Sequence, residues 1–464
     1  MTMALSFCGL CGLLLLGKLL RTRIALLQRL YLPASLIGGV LGLVVLTAGR
    51  QAWGADWGAE WTAGWGAVPA FLINVVFAGL FLGAASPSLA TAWKVGASQL
   101  CFGQMLAWGQ YVVGLALAGF VLVPRFRLPA IAGNLIEIGF EGGHGTVAGM
   151  KPLFEQYGWL SGWDLGITIA TCGMIFGVVV GMILINWAAR AGHIARAVGF
   201  EDRTEAERRG IFLPGEQPAA GRQTVSSDSV DSLAFHIALI GLSILVGVGL
   251  KGLLVGLDGV LPARLREIGL LKGMPLFPLC MFGGIVVQRV FHAVDAGAMI
   301  NRGQIQRLSG ASLDFLIVAA AATINLRVVS ANWAPLLLLV AGGAAWCILV
   351  VRYAGPRLFT SAWFERAIAE FGQSTGVTAT GLMLLRTVDP EAETGASEAF
   401  GYKQLLHEPI MGGGLWTSMA VPLVVTFGWK PILVFSLVML VFWSLFGTAL
   451  ARRERLRKPD GNAG

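Results

Sequence analysis

Charged residues are scarce in this sequence, and their scarcity argues against a soluble globular protein. Asp, Glu, Lys and Arg make up 13% of the 464 residues, whereas hydrophobic residues make up 56%. Soluble domains carry about 25% charged residues. The 63 glycines fit the same conclusion, because glycine lets transmembrane helices pack closely. The composition therefore predicts an all-α membrane protein.

Groups that support chemistry are also few. All six cysteines lie in apolar runs, and the one C-x-x-C, Cys8 with Cys11, lacks the flanking polar residues of a redox or zinc site. The sequence shows no nucleophile with a base and no metal-ligand spacing among its histidines. We therefore expect no enzyme activity and no cofactor. The histidines outside the glycine-rich tracts fall at loops or span ends, where we expect them to be solvated: His193, His236, His292 and His407.

The net charge of +8 does not indicate a nucleic-acid partner, because the basic residues are spread over short loops between apolar runs. Basic loops face the cytoplasm in membrane proteins. The basic residues near positions 18–29, in the polar segment 190–231 and in the C-terminal tail all fall on one predicted side. We therefore predict a multi-pass protein of a bacterial inner membrane, with its N-terminus outside and its C-terminus in the cytoplasm.

Long apolar runs fill most of the chain. A spanning helix needs roughly 20 apolar residues, and about eleven runs approach that length. They lie at approximately 3–20, 30–49, 67–86, 97–123, 165–189, 232–256, 275–291, 310–327, 333–351, 412–428 and 431–450. Two further segments, 131–157 and 361–390, are too rich in glycine and threonine to be ordinary spans. We predict that each forms a re-entrant hairpin, in which protein or water satisfies the exposed backbone groups.

The two halves of the chain resemble each other weakly and in the same order. Pro33 stands five residues before Gly38 in a glycine pair, and Pro278 stands five residues before Gly283 in another. Because the second half starts from the opposite side of the membrane, these matches predict inverted repeats. The predicted divisions are a first repeat at 1–189, a cytoplasmic linker at 190–231, a second repeat at 232–428, and an extra span with a basic tail at 429–464.

The glycine-rich tracts at 137–150 and 371–381 are the chemically distinctive parts of the sequence. Glycines permit tight turns and leave amides and carbonyls open to a ligand, while threonine hydroxyls add oxygen ligands for a small cation. A helix that starts after such a turn directs its positive end at the site. The alternative interpretation is that glycine and threonine only allow close helix packing.

The tract GGHGT at 142–146, the threonine-rich second hairpin and the five-plus-five inverted layout resemble the bacterial sodium/glutamate symporter family. The resemblance covers most of the chain. It implies a secondary transporter that carries glutamate or a related carboxylate together with sodium. It also implies a homodimer and an elevator-like movement of the hairpin domain.

The predicted substrate and ion site combines hairpin residues with polar residues of the paired spans. The candidates are Glu141, Gly142, Gly143, His144, Gly145, Thr146, Ser374, Thr375, Gly376, Thr378, Thr380, Asn74, Asp314 and Asn325. Four of these could bind sodium through oxygen atoms, namely Thr146, Thr378, Asn74 and Asn325. His144 could either carry a proton or serve as a neutral hydrogen-bonding group. Asp314 lies near a span end, where an interfacial structural role is equally compatible with the sequence.

Glu141 departs from the family pattern, in which a small or hydroxyl residue precedes the glycine pair. A carboxylate at mid-membrane costs about 2.5 to 3.5 kcal/mol, so Glu141 should meet water, a cation or a basic group. Its charge would repel an acidic substrate. A different small solute, coupled to protons or sodium, is therefore an alternative function. An ion channel is a further alternative, although polar residues at two interrupted segments suit alternating access better than a continuous pore.

Overall fold

The computed structural model describes residues 2–84, 89–194, 204–260, 271, 274–390 and 392–457, and those residues form helices and loops without a strand. In chain order the α-helices are α1 (Thr2–Arg23), α2 (Ala25–Arg29), α3 (Ala34–Trp53), α4 (Ala59–Thr62), α5 (Val68–Ala78), α6 (Leu89–Leu117), α7 (Val123–Phe126), α8 (Leu135–Phe140), α9 (Gly143–Gly149), α10 (Lys151–Gln156), α11 (Ser161–Arg190), α12 (Glu205–Arg209), α13 (Ser232–Val260), α14 (Leu276–Ala293), α15 (Arg302–Ala322), α16 (Leu326–Ala331), α17 (Trp333–Leu349), α18 (Gly355–Leu358), α19 (Trp363–Thr375), α20 (Thr378–Val388), α21 (Ala396–His407), α22 (Leu415–Phe427) and α23 (Trp429–Arg457). Short 3-10 turns lie at Ala130–Asn134 and Gly297–Met299.

Within the described residues, nine helices are long and apolar enough to cross a membrane. They coincide with nine of the apolar runs, which confirms the prediction of an all-helical membrane protein. The runs at 67–86 and 412–428 form the shorter helices α5 and α22, of 11 and 13 residues. At 1.5 Å per residue these helices extend only about 17 and 20 Å.

Glycine conformation explains why α22 is short. Gly412 and Gly413 have φ angles of 66° and 107°, which a continuous right-handed helix cannot include, so α22 starts at Leu415. At its other end Gly428 has a φ of 81°. The apolar run in the sequence is therefore longer than the helix that it forms.

Both glycine-rich tracts interrupt helices. The first interruption separates α8 from α9 at Glu141 and Gly142, and Gly143 has a φ of 67°. The second interruption separates α19 from α20 at Gly376 and Val377. Helices α19 and α20 also pack directly against each other, because a Cβ added at Gly381 would lie 2.4 Å from the carbonyl oxygen of Ala369. The second tract is thus a tight helix–turn–helix.

The chain divides into two compact units, and each unit draws on both halves of the sequence. Unit 1 comprises Met1–Ser86, His144–Ile167 and Thr204–Leu326, and unit 2 comprises Pro87–Gly143, Thr168–Arg203 and Arg327–Gly464. The division in the first glycine-rich tract falls between Gly143 and His144.

In unit 1 the two glycine pairs make equivalent packing contacts. A Cβ at Gly38 of α3 would lie 2.3 Å from a carbonyl oxygen of α1, and one at Gly283 of α14 would lie 2.0 Å from a carbonyl oxygen of α13. The second member of each pair faces the other half of the sequence. An added Cβ at Gly39 would lie 2.6 Å from a methyl group of α15, and one at Gly284 would lie 2.3 Å from a carbonyl oxygen of α5. Each pair therefore packs one helix between two others.

In unit 2 the long helices α6 and α17 end in the same way. A π turn at Ala118–Leu122 follows α6, and a π turn at Val350–Ala354 follows α17. A proline comes next in each case, Pro124 in α7 and Pro356 in α18. Proline has no N–H to donate to the preceding turn, and wider π turns accommodate such disruptions of the helical ladder.

Helices α6 and α17 pack closely, because a tryptophan of α17 lies against a glycine of α6. The Trp346 ring occupies the space of a missing side chain at Gly109, where an added Cβ would lie 1.9 Å from the ring. The indole N–H of Trp346 donates to the carbonyl oxygen of Leu106 at 3.0 Å. This contact holds α6 against α17. Polar residues of α6 contribute to the candidate functional site.

Candidate functional site

Glu137 lies on α8, one turn before the first interruption, and is fully buried in unit 2. Its carboxylate accepts hydrogen bonds from the hydroxyls of Tyr111 at 2.6 Å and Thr417 at 2.7 Å. The backbone N–H of Gly412 donates a third hydrogen bond at 3.1 Å. Three donors compensate the buried carboxylate for lost hydration, as buried charges require.

Glu141 stands at the first interruption and pairs with His407 at the end of α21. The distance between Glu141 Oε1 and His407 Nε2 is 2.9 Å, and both side chains are completely excluded from solvent. The amide nitrogen of Gln373 also donates to Glu141 Oε1, at 3.3 Å. The two glycine-rich tracts are therefore connected through side chains in the interior of unit 2.

The hydrogen bonds around His407 define which of its ring nitrogens carries hydrogen. The indole N–H of Trp108 can only donate, and it donates to Gln104 Oε1 at 2.8 Å. The amide nitrogen of Gln104 then faces His407 Nδ1, at 3.2 Å. Nδ1 accepts this bond, so Nε2 carries the hydrogen and donates it to Glu141. His407 is thereby a neutral imidazole beside a carboxylate.

A second buried acid on α19 pairs with a lysine on α21. Lys403 Nζ lies 2.9 Å from Glu370 Oε2, and both side chains are fully buried. Gln99 of α6 donates its amide N–H to Glu370 Oε1 at 3.0 Å. Gly103 of α6 leaves room for the pair, because a Cβ there would lie 2.5 Å from Lys403 Cε. The charge of Lys403 is thus committed to Glu370.

Gln404, next to Lys403 on α21, joins these groups into one network. Its amide nitrogen donates to Gln373 Oε1 and, at 3.1 Å, to the hydroxyl of Thr378 at the start of α20. Thr378 in turn donates to Glu408 Oε1 at 3.3 Å. Helix α21 therefore contributes a lysine, a glutamine and a histidine that contact both glycine-rich tracts.

The two interruptions also touch through their backbones. A Cβ added at Gly143 would lie 2.9 Å from the side chain of Val377 and 3.1 Å from the carbonyl oxygen of Gly376. Only glycine fits at position 143, since its φ is positive as well. Of the predicted site residues in unit 2, the structure therefore brings Glu141 and Gly143 together with the turn at 376–377. Gly142 completes the end of α8, where its N–H donates to the carbonyl oxygen of Glu137 at 2.9 Å.

Three further predicted site residues of unit 2 carry hydroxyl groups, namely Ser374, Thr375 and Thr380. The Thr375 hydroxyl donates to the Phe371 carbonyl at 2.7 Å, within α19. The carbonyl of Ser374 accepts from the Gln110 amide at 2.6 Å. Thr380 is buried beside Gly376, where a Cβ would lie 2.9 Å from the Thr380 hydroxyl. Of these three hydroxyls, that of Thr380 lies beside the second interruption, whereas that of Thr375 bonds within its own helix.

The remaining candidates belong to unit 1, and some of them start α9. His144 and Thr146 are buried. Gly145 packs against α5, because a Cβ there would lie 2.7 Å from the Ile73 side chain. Asn74 on α5 donates its amide N–H to the carbonyl oxygen of Ala70 at 2.9 Å, a bond within its own helix.

Asn325 and Asp314 lie on or next to α15 in unit 1. The backbone N–H of Asn325, in the turn between α15 and α16, donates to Asp164 Oδ1 at 2.7 Å. Asp164 was not among the predicted site residues. Asp314 is exposed in the middle of α15. Unit 1 therefore places the backbone of Asn325 at the Asp164 carboxylate and Asp314 beside the Ser35 hydroxyl.

The prediction of solvated side chains is wrong for two histidines. His407 is fully buried against Glu141, and His236 is fully buried on α13, where its Nε2 accepts from the backbone N–H of Asn301 at 2.8 Å. Lys403 and Gln404 were not among the predicted site residues. Their spacing with His407 was the available signal, because residues four and three positions apart are neighbours on a helix surface.

A family model described as sodium/glutamate symporter matches residues 1–354. The chain belongs to the sodium/glutamate symporter family. This result confirms the resemblance carried by GGHGT, and it makes the chain a multi-pass membrane transporter of the symporter class. No curated protein and no solved structure matches the chain.

The family match ends before several residues of the buried network. It includes GGHGT and the long helices α6 and α17, and it ends in the π turn after α17. Glu370, Lys403 and His407 lie beyond the matched residues. The buried network therefore joins Glu141, within the symporter match, to side chains outside it.

Proposed function

We propose that the chain carries glutamate or a related carboxylate together with sodium, by alternating access. The observation that carries this proposal is the contact between two helix interruptions in unit 2 of a chain that belongs to this symporter family. Interrupted helices at membrane depth need protein or water around their free backbone groups. Transporters use such positions for substrate and coupling ions.

Inverted repeats are part of the proposal, with the boundaries 1–189 and 232–428 and the linker 190–231 between them. The equivalent packing of the two glycine pairs supports this assignment, as do the π turns that end α6 and α17. In this interpretation the segments 131–157 and 361–390 are corresponding re-entrant hairpins. Helix α23 is then an addition after the second repeat.

The substrate carboxylate would bind at the turn that precedes α20. Helix α20 begins at Thr378 and has 11 residues, so its positive end points toward Gly376 and Val377. Sodium would be held by oxygen atoms of Thr378, Thr146, Asn74 or Asn325. Thr378 has the strongest support among these four, because its hydroxyl lies at the second interruption and contacts Gln404 and Glu408.

The cellular setting belongs to the proposal as well. We propose a homodimer in a bacterial inner membrane, with the N-terminus outside and the basic C-terminus in the cytoplasm. The family match and the nine long apolar helices among the described residues support the membrane part of this assignment. The chain moves its substrate without chemical conversion.

A carrier of a different small solute is the second candidate, and Glu141 favours it. The carboxylate of Glu141 lies in the interior of unit 2 at the first interruption, where it would repel an acidic substrate. A neutral or cationic solute would avoid that repulsion. An ion channel is less well supported, because adjacent interruptions suit a closed binding site better than a continuous pore.

The contact at Gly143 provides a direct test. Gly143→Ala combines a positive φ with a clash against Val377, so we expect loss of labelled glutamate uptake by proteoliposomes. Gly428→Ala is the matched control in the same unit, since Gly428 has a φ of 81° but open space around a Cβ. Equal uptake by folded Gly143→Ala and Gly428→Ala protein would contradict the assignment of this site.

A further inference from the structure

The buried network of unit 2 carries more negative than positive charge. Glu370 and Lys403 compensate each other, and three hydrogen-bond donors surround Glu137. Glu141 has only neutral donors among the described residues that bond it, His407 and Gln373. Among the described residues, His407 is the one basic side chain within ion-pair distance of the Glu141 carboxylate, and no lysine or arginine is.

The tautomer of His407 locates one excess negative charge at the Glu141–His407 pair. Because Gln104 donates to Nδ1, His407 reaches Glu141 as a neutral N–H donor, and the pair has a net charge of −1. Adding one proton to either member makes the pair neutral. Isolated buried charge is strongly unfavourable in a membrane interior, and one bound proton removes the net charge of the pair.

Other titratable groups also face this pair. They are Glu137 on α8, Tyr111 on α6, Cys347 on α17, Glu370 on α19 and Lys403 on α21. Negative charge on Glu137 or Glu370 favours proton uptake by the pair, and the positive charge of Lys403 opposes it. Because Lys403 Nζ lies 2.9 Å from Glu370 Oε2, its positive charge is compensated mainly by that acid.

A proton fits this position better than a metal cation does. Hard metal cations need several oxygen ligands, whereas Glu141 Oε1 receives N–H groups from His407 and Gln373. Those hydrogens point toward Oε1, so this carboxylate could offer a metal only its other oxygen, Oε2. A proton needs only one lone pair and no shell of ligands.

We propose that the Glu141–His407 pair is a proton-binding site of the transport cycle. The inference rests on the proposed function, in that it assumes that the chain is a secondary transporter, and it adds a second coupling ion to sodium. Because Glu141 lies at the first interruption and is tied to Gln373 on α19, the proton is bound where the two glycine-rich tracts meet. Loading it removes the net charge of the pair.

Proteoliposomes with a pH-sensitive dye inside test this proposal. With a fixed sodium gradient, the wild type should acidify the interior as labelled glutamate enters, and an inward proton gradient should raise accumulation several-fold. In Glu141→Gln and His407→Gln, accumulation should be the same with and without the proton gradient. Glu398→Gln, an exposed acid on the same helix as His407, should behave like the wild type. Wild-type uptake without any internal pH change would overturn the proposal.

A measurement without substrate separates this proposal from the proposed function. Infrared difference spectra of the purified protein between about pH 5 and about pH 8 should contain a carboxyl or imidazole signal that is lost in both Glu141→Gln and His407→Gln. This result would support the proton site even if glutamate proved to be the wrong substrate. Identical difference spectra for the wild type and His407→Gln would overturn it, whether or not Glu141→Gln folds.

Discussion

His407 Nε2 donates a hydrogen bond to Glu141 Oε1 over 2.9 Å, with both side chains fully buried in unit 2. The bond joins the last residue of α21 to the end of α8, where the first glycine-rich tract interrupts the helix. Two residues that are far apart in the sequence thus form one polar centre. Its contribution to stability can be measured separately from its part in transport.

Removing the His407 imidazole should destabilise unit 2. His407→Ala removes one of the two donors to the buried Glu141 carboxylate and leaves the Gln373 amide as the other. Losing a hydrogen bond to a buried charged group costs about 1 to 3 kcal/mol or more. We expect a lower thermal unfolding midpoint in detergent. His407→Gln keeps an N–H donor and should lose less; equal midpoints for the two variants would show that the hydrogen bond contributes nothing.

The Glu370–Lys403 pair should show strong coupling. Lys403→Met leaves a buried carboxylate unpaired and should cost about 3 to 5 kcal/mol. Adding Glu370→Gln removes that charge and should restore part of the loss. Unfolding midpoints of the two single variants and the double variant measure the coupling. A double variant as unstable as the sum of the singles would rule out a direct interaction.

The helix–turn–helix of α19 and α20 should depend on Gly381. A side chain there would meet the Ala369 carbonyl oxygen at 2.4 Å, so Gly381→Ala must push the two helices apart. We expect loss of uptake together with a lower unfolding midpoint. Gly401→Ala on α21 is the control, because a Cβ there meets nothing within 4 Å. Alanine should stabilise that helix by up to about 1 kcal/mol, and equal effects of the two substitutions would contradict the packing.

In unit 1 the glycine pairs should be intolerant of even one methyl group. Gly283→Ala places a Cβ 2.0 Å from the Ser243 carbonyl oxygen, which forces α13 and α14 apart. We expect a clearly lower unfolding midpoint. Gly241→Ala, also on α13, adds its methyl group to open space and should leave the midpoint equal or higher. The reverse order would show that α13 and α14 do not pack as described.

Apolar runs and glycine content predicted much of the fold. Apolar runs located the nine long helices, because hydrophobic length is what a bilayer selects. Glycine content located both interruptions, and Gly143 in the first of them has a positive φ. The runs at 67–86 and 412–428 were overestimated in length, since apolar composition does not reveal where glycines such as Gly412 stop a helix.

The site was predicted less well than the fold. GGHGT drew attention to Glu141, but its partner His407 lies in a charged stretch that suggested solvent exposure. Burial of His407 depends on the position of α21 beside α6, and only tertiary packing determines that position. Lys403 and Glu370 escaped notice for the same reason, because each charge is tolerated inside unit 2 only by virtue of the other.

Uptake of labelled glutamate by proteoliposomes containing the wild-type protein tests the central claim most directly. With an inward sodium gradient we expect uptake that saturates as the glutamate concentration rises and that exceeds the uptake seen with potassium in place of sodium. The glutamate concentration inside the proteoliposomes should rise above the external concentration. Folded protein that accumulates no glutamate under a sodium gradient, a proton gradient or both would contradict the claim that this family member is a glutamate symporter.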